Sequence, residues 1–83
     1  MTAQSSERSE GLRQLAFDKM SAVLGPARSG HLLAQILSEH DLQLETPDDL
    51  HAFAAELTKL GGFEGAVGAM LGVRAVMLGA RGR

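Results

Sequence analysis

Apolar residues recur at steps of three and four along most of this 83-residue chain, and short glycine or proline pairs interrupt the pattern. Such spacing places apolar side chains on one face of a helix, whereas a half-buried strand needs strict alternation. The interruptions are Gly25-Pro26, Thr46-Pro47 and Gly61-Gly62, which are typical of helix ends and helix starts. The pattern therefore predicts an all-α domain with four helices. They span residues 9–24, 26–40, 47–60 and 63–80.

The breaks within each half of the chain are very short, which predicts two helical hairpins. A connector at residues 41–46 joins them, and together they are expected to form a small four-helix bundle. The third helix has the best-defined start. Thr46 is its candidate N-cap, and Asp48 and Asp49 complement the positive end of the helix dipole.

The chain ends are polar and lack apolar spacing. We expect residues 1–8 to be a disordered tail, residues 9–80 to be one helical domain and residues 81–83 to be frayed. The polar first ten residues do not fit a signal peptide, and no apolar run is long enough to cross a bilayer. These features predict a cytoplasmic protein. Its six arginines against two lysines fit a GC-rich bacterial genome.

Composition argues against several classes of function. The chain has no cysteine, which excludes disulfides, thiolate metal sites and cysteine nucleophiles. Ten acidic and eight basic residues give a net charge of -2, and Trp and Tyr are absent. This balance disfavours nucleic acid and anionic membranes as partners, because both attract basic surfaces and bases stack on aromatic side chains.

No pattern of residues suggests catalysis or metal binding. His31, His40 and His51 are nine and eleven residues apart, which is not a metal-binding motif. Asp48 and Asp49 resemble a catalytic carboxylate pair, but the helix start accounts for them. The sequence therefore predicts a protein that is not an enzyme and uses no metal or cofactor.

The fourth helix carries the unusual pattern. A helical wheel at roughly 100° per residue gathers four glycines on one side of the helix, and Ala75 lies at the border of that side. These glycines are Gly65, Gly68, Gly72 and Gly79. A helical glycine costs about 1 kcal/mol relative to alanine, so the pattern predicts that another helix approaches closely. That helix belongs either to the same bundle or to a second copy of the chain.

The opposite side of the wheel carries bulky residues that we expect to face the core of the domain. They are Phe63, Val67, Met70, Leu71, Met77 and Leu78. Arg74 lies among them and has two interpretations. It is either a structural arginine, for which Asp18, Glu39 and Glu56 are candidate partners in the chain, or an anchor for a bound protein.

These patterns predict a small helical protein–protein interaction module, acting as an adaptor, regulator or assembly subunit. It is expected to associate with itself through the fourth helix. The predicted interaction surface consists of Gly65, Gly68, Gly72, Arg74, Ala75 and Gly79. The alternative function is binding of a peptide or small ligand in an apolar groove lined by Met20, Met70 and Met77.

Overall fold

A computed structural model describes residues 4–80, with side chains from residue 11 onward, and within these residues all regular structure is α-helical. The helices are α1 (Gln4–Leu24), α2 (Pro26–Glu39), α3 (Pro47–Lys59) and α4 (Gly62–Met77). The all-α prediction is confirmed. α1 begins at Gln4 rather than Ser9, and neither glycine nor proline lies between these positions to stop it. Of the predicted terminal segments, residues 1–3 and 81–83 lie outside the described part of the chain.

The predicted helix starts and stops are present at the three interruptions. Pro26 begins α2 directly after Gly25, whose φ of 87° is accessible to glycine. At α3 the Thr46 Oγ1 accepts a hydrogen bond from the Asp49 backbone N–H at 3.1 Å. The Asp49 carboxylate accepts one from the Thr46 N–H, also at 3.1 Å. This reciprocal capping box confirms the predicted cap and gives Asp49 a structural role.

α4 ends three residues earlier than predicted, in a glycine-dependent C-terminal motif. Gly79 has a φ of 114°, and its N–H donates to the Val76 carbonyl at 3.0 Å. The Ala80 N–H reaches back to the Ala75 carbonyl at 2.9 Å, which completes a Schellman motif. Gly79 therefore terminates α4 and is not a member of a glycine face.

The core receives side chains from all four helices and from the connector. Its members are Leu12, Ala16, Met20, Leu32, Leu33, Ile36, Leu37, Leu44, Leu50, Phe53, Ala54, Leu57, Val67, Leu71 and Ala75. α3 and α4 have the most extensive mutual packing, and α1 contacts both α2 and α4. Within the connector, Leu44 is fully buried although its φ is 52°, in the left-handed region. None of the described helices has the length and apolar character needed to cross a membrane.

Candidate functional site

α4 packs on a different side from the one that the helical wheel predicts. Val67, Leu71 and Ala75 are buried in the core, whereas Phe63 and Met77 are each 73% exposed. The buried stripe is thus rotated by roughly a quarter turn from the predicted bulky face. Of the six bulky residues predicted to face the core, Val67 and Leu71 do so, and the prediction is wrong for Phe63, Met70, Met77 and Leu78. The reason is that α3 lies against the glycines, so the packed side of α4 is centred between the glycines and the larger residues.

The helix that approaches the glycines is α3 of the same chain. A Cβ on Gly68 would lie 2.6 Å from both the backbone nitrogen and Oγ1 of Thr58. At Gly65 it would lie 3.3 Å from the Thr58 carbonyl oxygen, and at Gly72 3.8 Å from the Ala54 Cβ. Contact this close between two backbones requires glycine at position 68.

Two residues of the predicted interaction surface are therefore buried in the folded chain. Gly68 is buried beneath α3, and Ala75 is fully buried in the core. Gly65 and Gly72 are half-buried beside them. α3 and the core therefore cover the centre of the predicted surface.

That side is an apolar strip facing away from the core, which we call the outer face. It consists of Phe63, Ala66, Ala69, Met70, Val73, Val76 and Met77, all of them exposed. The larger side chains are 48–73% exposed. The only ionisable residues of α4, Glu64 and Arg74, lie outside this strip. A helix that is apolar all round is usually covered on all sides, yet here one side of α4 is bare.

Residues along the outer face have the spacing of a helix–helix seam. The steps from Phe63 through Ala66, Met70 and Val73 to Met77 alternate between three and four residues. A repeat of 3.5 residues keeps a stripe facing a second helix over several turns, as in coiled coils. The outer face is therefore suited to a helical partner.

A shallow apolar groove runs beside the outer face, between α3 and α4. It encloses about 310 Å³. The α3 side contributes His51, Ala54, Ala55 and Thr58, and the α4 side contributes Gly68, Ala69, Gly72, Val73 and Val76. Ala69, Val73 and Val76 belong to both the groove and the outer face, so the two surfaces are continuous.

Arg74 lies at the α1 edge of the outer face and is exposed. Its three candidate partners contact other residues instead. Asp18 accepts a hydrogen bond from Gln14, and Glu39 accepts one from Gln35. The Glu56 carboxylate lies 3.3 Å from the His40 Nε2 and forms an ion pair with Lys59 at 3.1 Å. Within the described part of the chain, no ion pair joins Arg74 to any of these three acids.

The predicted three-methionine groove does not form, because Met20 is fully buried in the core. Met70 and Met77 do line a cavity of about 190 Å³ with Lys19 and Arg74. A larger cleft, of about 590 Å³, opens between α1 and the end of α4. Gly11, Leu12, Leu15, Pro47, Arg74 and Leu78 line it.

The remaining polar residue of α4 ties the helix to α2. Arg28 donates to the Glu64 carboxylate through its Nε at 2.8 Å and through its Nη2. The hydrogen bond from Arg28 lowers the pKa of Glu64, and the backbone N–H of Glu64 itself acts in the same direction. This ion pair fixes the first turn of α4 and leaves the outer face apolar.

The three histidines lie at separate places in the fold. Among the described residues, no three His, Asp or Glu side chains are placed to hold one metal ion. His31 is exposed, His40 caps the C-terminus of α2, and His51 lines the α3–α4 groove.

A search of protein-family models found no match to the chain. Neither the curated proteins nor the solved structures that were compared with it gave a match.

The sequence predicted an interaction surface on the glycine side of α4, and the structure shows that α3 packs on Gly68 on this side. One signal in the sequence points to the outer face. From Ala66 to Val73 every residue of α4 is apolar or glycine, so no side of the helix there is marked as solvent-facing.

Proposed function

We propose that this chain is a small helical protein–protein interaction module, serving as an adaptor, regulator or assembly subunit. Its contact surface is centred on the outer face of α4 rather than on the glycines. The module is best described as two helical hairpins, α1–α2 and α3–α4, packed as a four-helix bundle. Its partner presents an apolar helix.

The observation that carries this proposal is the exposure of large apolar side chains on one helix. Phe63, Val73 and Met77 are each more than 60% exposed, and all lie on the same side of α4. Scattered apolar residues on a surface need no explanation, but a contiguous apolar strip usually marks a binding surface. Burying such a strip against a partner is favourable by about 25 cal/mol per Å² of apolar area.

The glycines support the same function indirectly. Because Gly68 allows α3 to lie close to α4, the packed side of α4 needs few bulky residues. Most of the large side chains of α4 are then left for the outer face. Close packing of α3 and α4 also holds the outer face rigid, which lowers the conformational entropy lost when a partner binds.

Site-specific photo-crosslinking tests this function directly. A benzophenone amino acid is placed at Val73, on the outer face, or at Val23, an exposed valine near the end of α1. Illumination of intact cells that express each version should give a discrete protein adduct from position 73 and little from position 23. Equal yields at the two positions, or no adduct at position 73, would reject the outer face as a protein-binding surface.

A second candidate function is binding of an apolar small ligand. The cleft between α1 and the end of α4 favours it, because its volume of about 590 Å³ lies in the range of ligand pockets. Arg74 at its wall would suit a ligand with an anionic end. The test is displacement of a bound apolar fluorescent dye by a fatty acid. Displacement from the wild-type chain, but not from Leu12→Lys, would support this alternative.

A further inference from the structure

We infer that the partner covering the outer face of α4 is a second copy of this chain, related to the first by a two-fold axis. This inference rests on the proposed function, because it names the occupant of the same surface. It places α4 of one copy against the outer face and the α3–α4 groove of the other.

The surface combines an exposed row of side chains with a groove. Met70, Val73 and Met77 form the row, and Val73 also lines the groove together with Gly68 and Gly72. Two-fold symmetry brings the row of each copy to the groove of the other, so both features are used twice. Methionine side chains are flexible enough to fill an irregular groove of this kind.

The area available is sufficient for a stable dimer. The exposed fractions of the five large outer-face side chains correspond to roughly 600 Å² per copy. Alanines and the walls of the groove add to this, which brings each copy near the roughly 800 Å² typical of a specific interface. The contact would be more apolar than the average protein surface, as homodimer interfaces are.

Charge also favours a second copy over a membrane surface. The chain carries a net charge of only -2, so two copies repel each other weakly. An interfacial membrane helix needs basic residues along its polar side, at both edges of the apolar face. Here the basic residues Lys19 and Arg74 line the cavity at one edge, the α1 edge. On the opposite edge the groove is lined by His51, Ala55 and Thr58.

Sedimentation equilibrium of the purified full chain is the first test. Because the chain has no Trp or Tyr, interference optics are used for detection. We expect a concentration-dependent equilibrium between the 8.8 kDa chain and a species of twice that mass. A single 8.8 kDa species at every concentration up to the millimolar range overturns the inference.

Matched valine variants locate the interface. Val73→Glu places a charge on the outer face, where the monomer leaves it in water but a dimer would bury it without a partner. It should weaken dimerisation at least tenfold. Val23→Glu makes the same chemical change at another exposed valine and should leave dimerisation unchanged. Circular dichroism of both variants verifies that helicity is retained, and Met77→Lys at the end of α4 serves as an independent variant if Val73→Glu fails to fold.

Cysteine crosslinking gives a second measurement that does not depend on stability. The chain contains no cysteine, so Val73→Cys or Val23→Cys introduces a unique thiol. A bis-maleimide with a reach of about 10 Å, less than two helical turns, should link copies through position 73 and not through position 23. Equal crosslinking at the two positions, or a dimer that Val73→Glu does not weaken, contradicts the inference.

The outcomes separate this inference from the function on which it rests. A photo-adduct at position 73 of twice the chain mass supports both. An adduct at position 73 with a different protein, together with a purified chain that stays monomeric, leaves the proposed function standing and overturns the second copy. The wild-type chain can also be sedimented with vesicles of phosphatidylserine and phosphatidylcholine. Co-sedimentation that is lost in Val73→Glu overturns the second copy as the partner.

Discussion

Gly68 of α4 lies so close to Thr58 of α3 that an added Cβ would be 2.6 Å from the Thr58 backbone nitrogen. Four residues further on, a Cβ at Gly72 would meet only the Ala54 Cβ, at an ordinary contact distance of 3.8 Å. Two glycines one turn apart on the same helix therefore have different reasons to be glycine. Only position 68 requires it for the approach of α3.

Alanine at these two positions should change stability in opposite directions. Gly68→Ala should lower the free energy of unfolding by about 1–3 kcal/mol, because α3 and α4 must separate to admit the methyl group. Gly72→Ala should raise it by up to about 1 kcal/mol through helix propensity alone. Urea denaturation followed by circular dichroism measures both variants. A gain in stability for Gly68→Ala would mean that α3 does not pack on α4 as described.

The sequence was a good guide to helix boundaries and a poor guide to the sides of α4. Thr46 and Gly61 act through local backbone geometry, so their types and positions predict a start and a stop directly. Which side of α4 is buried depends instead on where α3 lies, which is a tertiary property. With apolar residues almost all round, α4 offers no polar stripe to mark its solvent side, and glycine spacing alone did not distinguish Gly68 from Gly79.

The capping box at α3 gives a prediction about local stability. Thr46→Ala removes the acceptor of the Asp49 N–H and should cost about 1 kcal/mol in the free energy of unfolding. Thr46→Ser keeps the acceptor and should stay close to wild type. Thermal melts of the two variants provide the measurement. Equal melting temperatures for Ala and Ser at this position would show that the cap adds nothing to stability.

The ion pair between α2 and α4 predicts a specific dependence on pH. The pKa of Glu64 is lower in the folded chain than its ordinary value of 4.5, chiefly because Arg28 donates to its carboxylate. A lowered folded pKa contributes stability above the unfolded pKa, and that contribution is lost as the pH falls through the folded pKa. Arg28→Gln should therefore be less stable than wild type near neutral pH, and this difference should shrink below about pH 4.5.

Denaturant titrations across the acid range measure that difference. Arg13→Gln is the control, since Arg13 is an exposed arginine on α1 that takes no part in the contact with Glu64. Its stability relative to wild type should not follow the acid titration seen for Arg28→Gln. A pH-independent difference between Arg28→Gln and wild type would remove the ion pair as its cause.

The connector between α2 and α3 gives a prediction about stability. At most buried positions an alanine variant is more stable than a glycine variant, and here the order should be reversed. Leu44 is fully buried, but its φ of 52° is unfavourable for any residue with a Cβ. Replacing it by alanine removes the buried side chain, at about 2–5 kcal/mol, and keeps the strain. Replacing it by glycine removes both. Leu44→Gly should therefore be as stable as Leu44→Ala or more stable, by up to about 1–2 kcal/mol.

Leu71 is the matched control for this comparison, since it is 1% exposed and lies in the middle of α4 with helical backbone. There the usual order should hold, with glycine about 1 kcal/mol less stable than alanine. Urea titrations of the four variants decide the matter, with trimethylamine N-oxide added if a variant is unfolded in buffer. Because each comparison is between alanine and glycine at one site, the large loss from the missing leucine side chain largely cancels. If alanine is the more stable residue at position 44 as well, the left-handed backbone of the connector is not maintained in the folded protein.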